Sequence, residues 1–419
     1  MADFDKMLKD LGVDMVLHSD LEENQNRLHA KYFQLRNNRP VTMNRFDDSR
    51  HASHAGRVDE IHEHRKAGVK SIGTFCIYVP DEIALAAEVL PIPLCGGSGW
   101  SVSYADKVLP RDICPIVRST FGMAVSNTCP YKKLKDFAVG ETTCDAKKKA
   151  WDLFGFKVLE VPQKKNEEDI NLWRREVHAF REMMEKLSGQ AITGRKLLFS
   201  ILLMNRKRDI MRQINEFRKL DEPPINGLDA LLISQVALNQ DTESFISDCI
   251  DLKDELSERV KNGVSAYDKS GRRVLIAGAP SPMGYAKVHH IAESAGMRIV
   301  ADESCTGMRY FRDDVEEITD DLDAMIDAVA ARYFKIDCSC FSPNTERFEN
   351  ISKIIKDYRI DGVIQHVLQY CHGYNVEARK LEKMLKEMNI PSITIETDYS
   401  EEDSGQIRTR LEAFAEMMD

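Results

Sequence analysis

Short apolar runs divide this chain into strands and helices. Residues 71–77 predict a buried strand, 80–90 a helix and 90–95 a second short strand leading into the glycine-rich loop 96–99. Residues 137–140 predict a strand that hands over to a helix starting at Cys144, and 156–161 predict another strand. From 166 to 262 the strand signal fades. Amphipathic patterns over 171–187 and 194–220 read as helices, broken at Glu222-Pro223-Pro224. Apolar runs return at 272–278, 297–302, 361–366 and 391–396, and a helix over 407–418 closes the chain. Strands of this length alternating with helices predict βαβ units and parallel sheets. The expected fold class is therefore α/β: two similar Rossmann-like parallel-sheet domains with an N-terminal helical segment and a helical connector. The expected boundaries are 1–68, 69–190, 191–268 and 269–419.

Composition narrows the function. The chain has 419 residues, 43% hydrophobic and 30% charged, an ordinary balance for a chain of two or three domains. A net charge of -10 argues against nucleic-acid binding, which needs a basic face. No apolar run is long enough to span a membrane, and the start, Met1-Ala2-Asp3-Phe4-Asp5-Lys6, has no apolar signal core, so a cytoplasmic protein is expected. Disulfides are then not expected, and the ten cysteines read as free, catalytic or metal-bound. His51, His54, His62 and His64 suggest a metal site, but a solvated helical surface is the favoured reading.

Several cysteines fall where a strand gives way to a helix, the edge of a parallel sheet at which ligands bind. Cys76 ends the first strand, and Cys144 follows the third with Thr143 as the expected N-cap. Cys114 and Cys129 precede Pro115 and Pro130, and proline favours the first helical position. Cys371 follows the 361–366 strand, and Cys338 and Cys340 form a C-x-C. Helix N-termini present free N–H groups and partial positive charge, which stabilise thiolates and anionic clusters. Soft thiolates select zinc, Cu(I) or iron–sulfur clusters. There is no C-x-x-C, so the common zinc-finger and ferredoxin spacings are absent. Cys249 and Cys95 are read as small buried hydrophobes, and Cys305 is left open. Residues 278–284 follow a strand but are not G-x-G-x-x-G, and no G-x-x-x-x-G-K-[ST] exists, so neither a dinucleotide nor ATP is expected on this chain. The run Lys147-Lys148-Lys149 reads as a solvated helix face.

Together these segments resemble the 2-hydroxyacyl-CoA dehydratase and benzoyl-CoA reductase superfamily over roughly residues 70–419. The likeness rests on Tyr78-Val79-Pro80-Asp81-Glu82, on Cys114, and on Glu141-Thr142-Thr143-Cys144-Asp145. It continues in Asp302-Glu303-Ser304-Cys305-Thr306-Gly307-Met308-Arg309, Asp361-Gly362-Val363-Ile364, Cys371, Ile390-Pro391 and 405–410. Members with one [4Fe–4S] cluster per subunit use three cysteines, which correspond here to Cys114, Cys144 and Cys371. The further thiols resemble the branch called double-cubane cluster proteins, in which two [4Fe–4S] units share a sulfide as [8Fe–9S].

The resemblance implies six ligands: Cys76, Cys114, Cys129, Cys144, Cys340 and Cys371. Cys340 is taken over Cys338 for its place beside 341–347. The resemblance also implies a separate homodimeric ATPase activator with its own [4Fe–4S] cluster, a small-molecule substrate and a homodimer. His372 and Glu141 are the candidate proton donors, with His366 and Tyr370 behind them. The alternatives are one subunit of an acyl-CoA dehydratase or aryl-CoA reductase holding a single [4Fe–4S] cluster, and a non-catalytic electron carrier or zinc-stabilised scaffold.

Overall fold

The structure, a computed structural model, describes residues 2–34, 38–53, 55–94, 96–267 and 271–418, with side chains from residue 4 onward. His54 and Cys95 lie outside the described residues. The eight strands are β1 Lys70–Thr74, β2 Val89–Pro93, β3 Phe137–Glu141, β4 Lys157–Leu159, β5 Arg273–Gly278, β6 Arg298–Glu303, β7 Gly362–Leu368 and β8 Ser392–Thr397. They form two four-stranded sheets, ordered β2-β1-β3-β4 and β6-β5-β7-β8, with every pairing parallel. The same strand order appears twice, so the α/β expectation of two similar halves holds.

The central strands of each sheet, and the β6 edge of the second, are buried beyond their first residues. Strands β6 and β7 are buried at every position, and β5 at all but its first residue. The edge strands β4 and β8 are partly exposed. Continuous Val, Ile and Ala runs suit strands covered by helices on both faces.

The first predicted strand overruns. β1 ends at Thr74, because Cys76 adopts a left-handed backbone (φ 72°) and turns the chain out of the sheet. The predicted helix 80–90 shortens to Asp81–Ala86, closed by a left-handed Glu88 (φ 58°) that feeds β2.

Four helices precede the first sheet: Ala2–Asp10, Met15–His29, Met43–Ala52 and Gly56–Lys66. Between the sheets run Glu167–Ser188, Gly194–Glu216, Gly227–Ala237 and Thr242–Lys261. Their apolar faces join one large core. It takes in Phe46 from the N-terminal helices, Ile72 and Val139 from the first sheet, Trp173, Leu232 and Leu252 from the intervening helices, and Tyr310 from the second half. Burying each large side chain contributes about 2–3 kcal/mol.

The loop 96–99 is where the halves press together. A Cβ at Gly97 would meet the Met283 carbonyl and Pro282, and one at Gly99 the Tyr399 carbonyl. Only glycine permits that approach.

Candidate functional site

A cavity of about 590 Å³ opens at the carboxyl ends of the central strands. Among the described residues seven thiols border it: Cys76, Cys114, Cys129, Cys144, Cys305, Cys338 and Cys371. Cys340 adjoins through its hydrogen bond to Cys338. The backbone delivers them in a repeated way. Cys144 stands three residues past the end of β3, and Cys371 three past the end of β7. Cys114 lies in the crossover from β2 to β3, and Cys338 and Cys340 in the matching crossover from β6 to β7.

The thiols fall into two groups. Cys371 donates to Cys114, and this bond, aided by the Ile116 N–H, holds the Cys114 thiol below its usual range against the opposing effect of burial. Cys144 acts electrostatically on Cys114 and is itself acted on by Cys371. All three are helix N-caps, of Pro115–Val125, Asp145–Phe154 and His372–Glu387. In the second group Cys76 donates to Cys305 and Cys340 to Cys338. Each acceptor thiol is lowered first by that bond and then, against burial, by Arg309 and Lys147. The buried Tyr78 feels Cys340, Cys338, Cys76 and Cys305 together.

Lys147 stands between the groups. Burial disfavours its charge, but Glu141, Cys76, Cys144 and Cys338 outweigh that and raise its pKa. Its Nζ donates to Glu141 at 2.5 Å and to the Thr143 hydroxyl at 3.0 Å. Glu141 is fully buried and also accepts from the Thr143 N–H at 2.9 Å and hydroxyl at 2.8 Å. This changes two expectations. Thr143 is not the N-cap, because its hydroxyl and N–H serve Glu141, and Cys144 takes the cap position. The lysine run is not one solvated face, because Lys147 lies one turn after Cys144 and turns back into the cavity. That three-residue spacing was the available signal. Arg309 was missed as well. It is buried, ion-paired with Glu303 and hydrogen-bonded to Tyr374, and Arg347 backs Glu303 at 3.0 Å.

The remaining expected site residues are placed as follows. Cys129 borders the cavity but packs among Met7, Leu8, Ile92, Tyr131 and Leu134. Burial raises its thiol, opposed by the Lys132 and Tyr131 N–H groups and by Lys135. His372 is exposed at the cavity wall. His366 is fully buried on β7, and burial lowers its pKa to about 3, which makes it a neutral acceptor and donor rather than an acid. Tyr370 has a left-handed backbone (φ 60°) and lines the cavity. Cys249 is buried in the core, as expected. His51 lies on one helix, and His62 and His64 on the next.

The donor set fits an iron–sulfur cluster: soft sulfur donors on cavity walls, helix N-termini aimed inward, and the half-buried Lys147 and buried Arg309 nearby. Among the described residues no three His, Cys, Asp or Glu side chains are gathered around a point suited to one metal ion.

A family model described as 2-hydroxyglutaryl-CoA dehydratase, D-component, matches residues 76–418, most of the chain and every strand except β1. The chain belongs to the 2-hydroxyacyl-CoA dehydratase and benzoyl-CoA reductase superfamily. This superfamily member is 33% identical to YjiM of Escherichia coli K12, whose name gives it as a dehydratase subunit, over 90% of this chain and 98% of YjiM. It is 26% identical to a benzoyl-CoA reductase subunit of Thauera aromatica, over 83% of this chain and 90% of that one. It is 25% identical to the beta subunit of (R)-2-hydroxyglutaryl-CoA dehydratase of Acidaminococcus fermentans, over 85% and 94%. As a superfamily member the chain is a subunit of the dehydratase or reductase type. No helix among its described residues is long and apolar enough to cross a membrane.

Proposed function

We propose that this chain is an iron–sulfur reductase. It takes low-potential electrons from a homodimeric ATP-hydrolysing activator with its own [4Fe–4S] cluster and reduces a small molecule at an [8Fe–9S] double cubane. The observation that carries this is the pair of thiol groups on one cavity, where a single cubane needs only one. The proposed ligands are Cys114, Cys144 and Cys371 for one cubane, and Cys76, Cys305 and Cys338 for the other. Cys305 replaces Cys129 because it is hydrogen-bonded to Cys76 and acted on by Cys338, whereas Cys129 sits in the N-terminal core. Cys338 replaces Cys340 because it borders the cavity and carries the lowered thiol. Each half of the chain supplies ligands to both groups, so the protein works as a homodimer of complete sites in the cytoplasm.

A cluster held there supplies low-potential electrons to a molecule bound in the cavity. The chain's own residues do the rest. Cysteine N-caps set three helix N-termini against the anionic group. Lys147, fixed by Glu141, adds positive charge between the groups, and Arg309, fixed by Glu303, adds it at the second. His372 at the exposed wall is placed to exchange protons with solvent.

Iron and acid-labile sulfide on anaerobically purified protein test the reading: about eight irons and nine sulfides per chain are expected. The second reading is one subunit of an acyl-CoA dehydratase or aryl-CoA reductase, favoured by relatives that are themselves named as single subunits of a dehydratase and of a reductase. It predicts about four of each, held by Cys114, Cys144 and Cys371 alone.

A further inference from the structure

The cavity extends beyond the thiols to a wall of Ile77, Val79, Leu85, Met204, Leu238 and Met283. Charged side chains interrupt that wall, Asp81 and Lys207 among them. The Lys207 ammonium is already engaged. It donates to the Ala237 carbonyl at 2.5 Å and lies over the rings of Phe245 and Tyr310. Asp81 is different. It is half-buried, whereas the buried carboxylates here have charged partners: Glu82 has Arg208, Glu141 has Lys147, Glu303 has Arg309 and Arg347, and Asp302 has Arg218 and His289. Among the described residues the Asp81 carboxyl oxygens receive no hydrogen bond. Its backbone N–H donates to the Tyr333 hydroxyl at 3.1 Å.

We propose that Asp81 is the proton-delivering residue of this cavity, passing its proton to a small, uncharged, largely apolar acceptor bound against that wall. The inference rests on the reductase reading above. An acceptor with a multiple bond, X=Y, takes two electrons from the activator by way of the thiol-held cluster, and two protons, to give HX–YH. Asp81 gives one proton, is reprotonated from solvent and gives the second. A donor serves best when its pKa lies near the working pH. Burial raises the Asp81 carboxyl to about 6, with Glu82 adding to the rise and Lys207, Arg208 and Arg332 opposing it. Those groups and Tyr333 are the charged and titratable side chains facing it from its own helix, from Gly194–Glu216 and from Leu322–Phe334.

Two measurements on the full-length protein test this without a known substrate. Infrared titration should show a carboxylic C=O band that titrates near pH 6 and is missing from Asp81→Asn, with or without iron. The reduction potential of the iron-loaded protein should fall as pH rises above about 6, be flat in Asp81→Asn, and regain its slope in Asp81→Glu. An unchanged band or an unchanged slope in Asp81→Asn overturns the proposal, and Asp81→Glu still decides it if the asparagine variant does not fold. Iron present with a flat wild-type potential sinks this inference alone. A chain without iron sinks the reductase reading, and this inference with it.

Discussion

The two thiol groups share a cavity but are charged in different ways. Cys114, Cys144 and Cys371 are each the N-cap of a helix of at least ten residues, so backbone dipoles supply the positive potential. Cys76, Cys305 and Cys338 cap no helix among the described elements; Arg309 acts on Cys305 and Cys338, while Lys147 acts on both groups. Backbone charge cannot be removed by a point substitution, whereas side-chain charge can. The second group is therefore the one that substitution can unbalance.

The largest effect expected from this contrast is on iron content. Cys305→Ser should lose about half of the iron and Cys144→Ser the other half, while Cys129→Ser keeps it all, as read by iron analysis of anaerobically prepared protein. Full iron in Cys305→Ser would collapse the two groups into one.

Next comes the Lys147–Glu141 pair. Replacing Glu141 with Gln leaves a buried ammonium without its counter-charge, at a cost on the order of 3 kcal/mol in chemical denaturation of the iron-free protein. Arg309→Met, which removes a cation that acts on Cys305 and Cys338, should shift the potential of the second group more than that of the first. Equal shifts would show that Arg309 does not distinguish them.

The Asp81 carboxyl supplies a pH test of stability. Its folded pKa, about 6, lies above the unfolded value, so its ionisation penalises the fold above that pH and the penalty is relieved as pH falls through about 6. Asp81→Asn should therefore stabilise the iron-free protein by on the order of 2 kcal/mol at pH 8 and by almost nothing at pH 4. An equal gain at both values would assign the effect to packing. The smallest change is expected at Cys249, buried away from the cavity: Cys249→Ala should cost about 1 kcal/mol and no iron.

By itself the sequence determined the layered plan and most of the thiols. The apolar stretches within 272–278 and 361–366 read as strands covered on both faces, and β7 buries Gln365 and His366 besides. Proline after Cys114 and the strand-to-helix handover at Cys144 placed those thiols from local rules alone. What only the tertiary structure decided is which thiols meet. Cys76 and Cys305 are 229 positions apart and pair because the two sheets end on one cavity, while Cys129, with the same local signature as Cys114, is drawn into the N-terminal core. Lys147 and Asp81 followed the same logic. Burial and long-range charge set their states, and those depend on what packs across the cavity, which no window of neighbouring residues encodes.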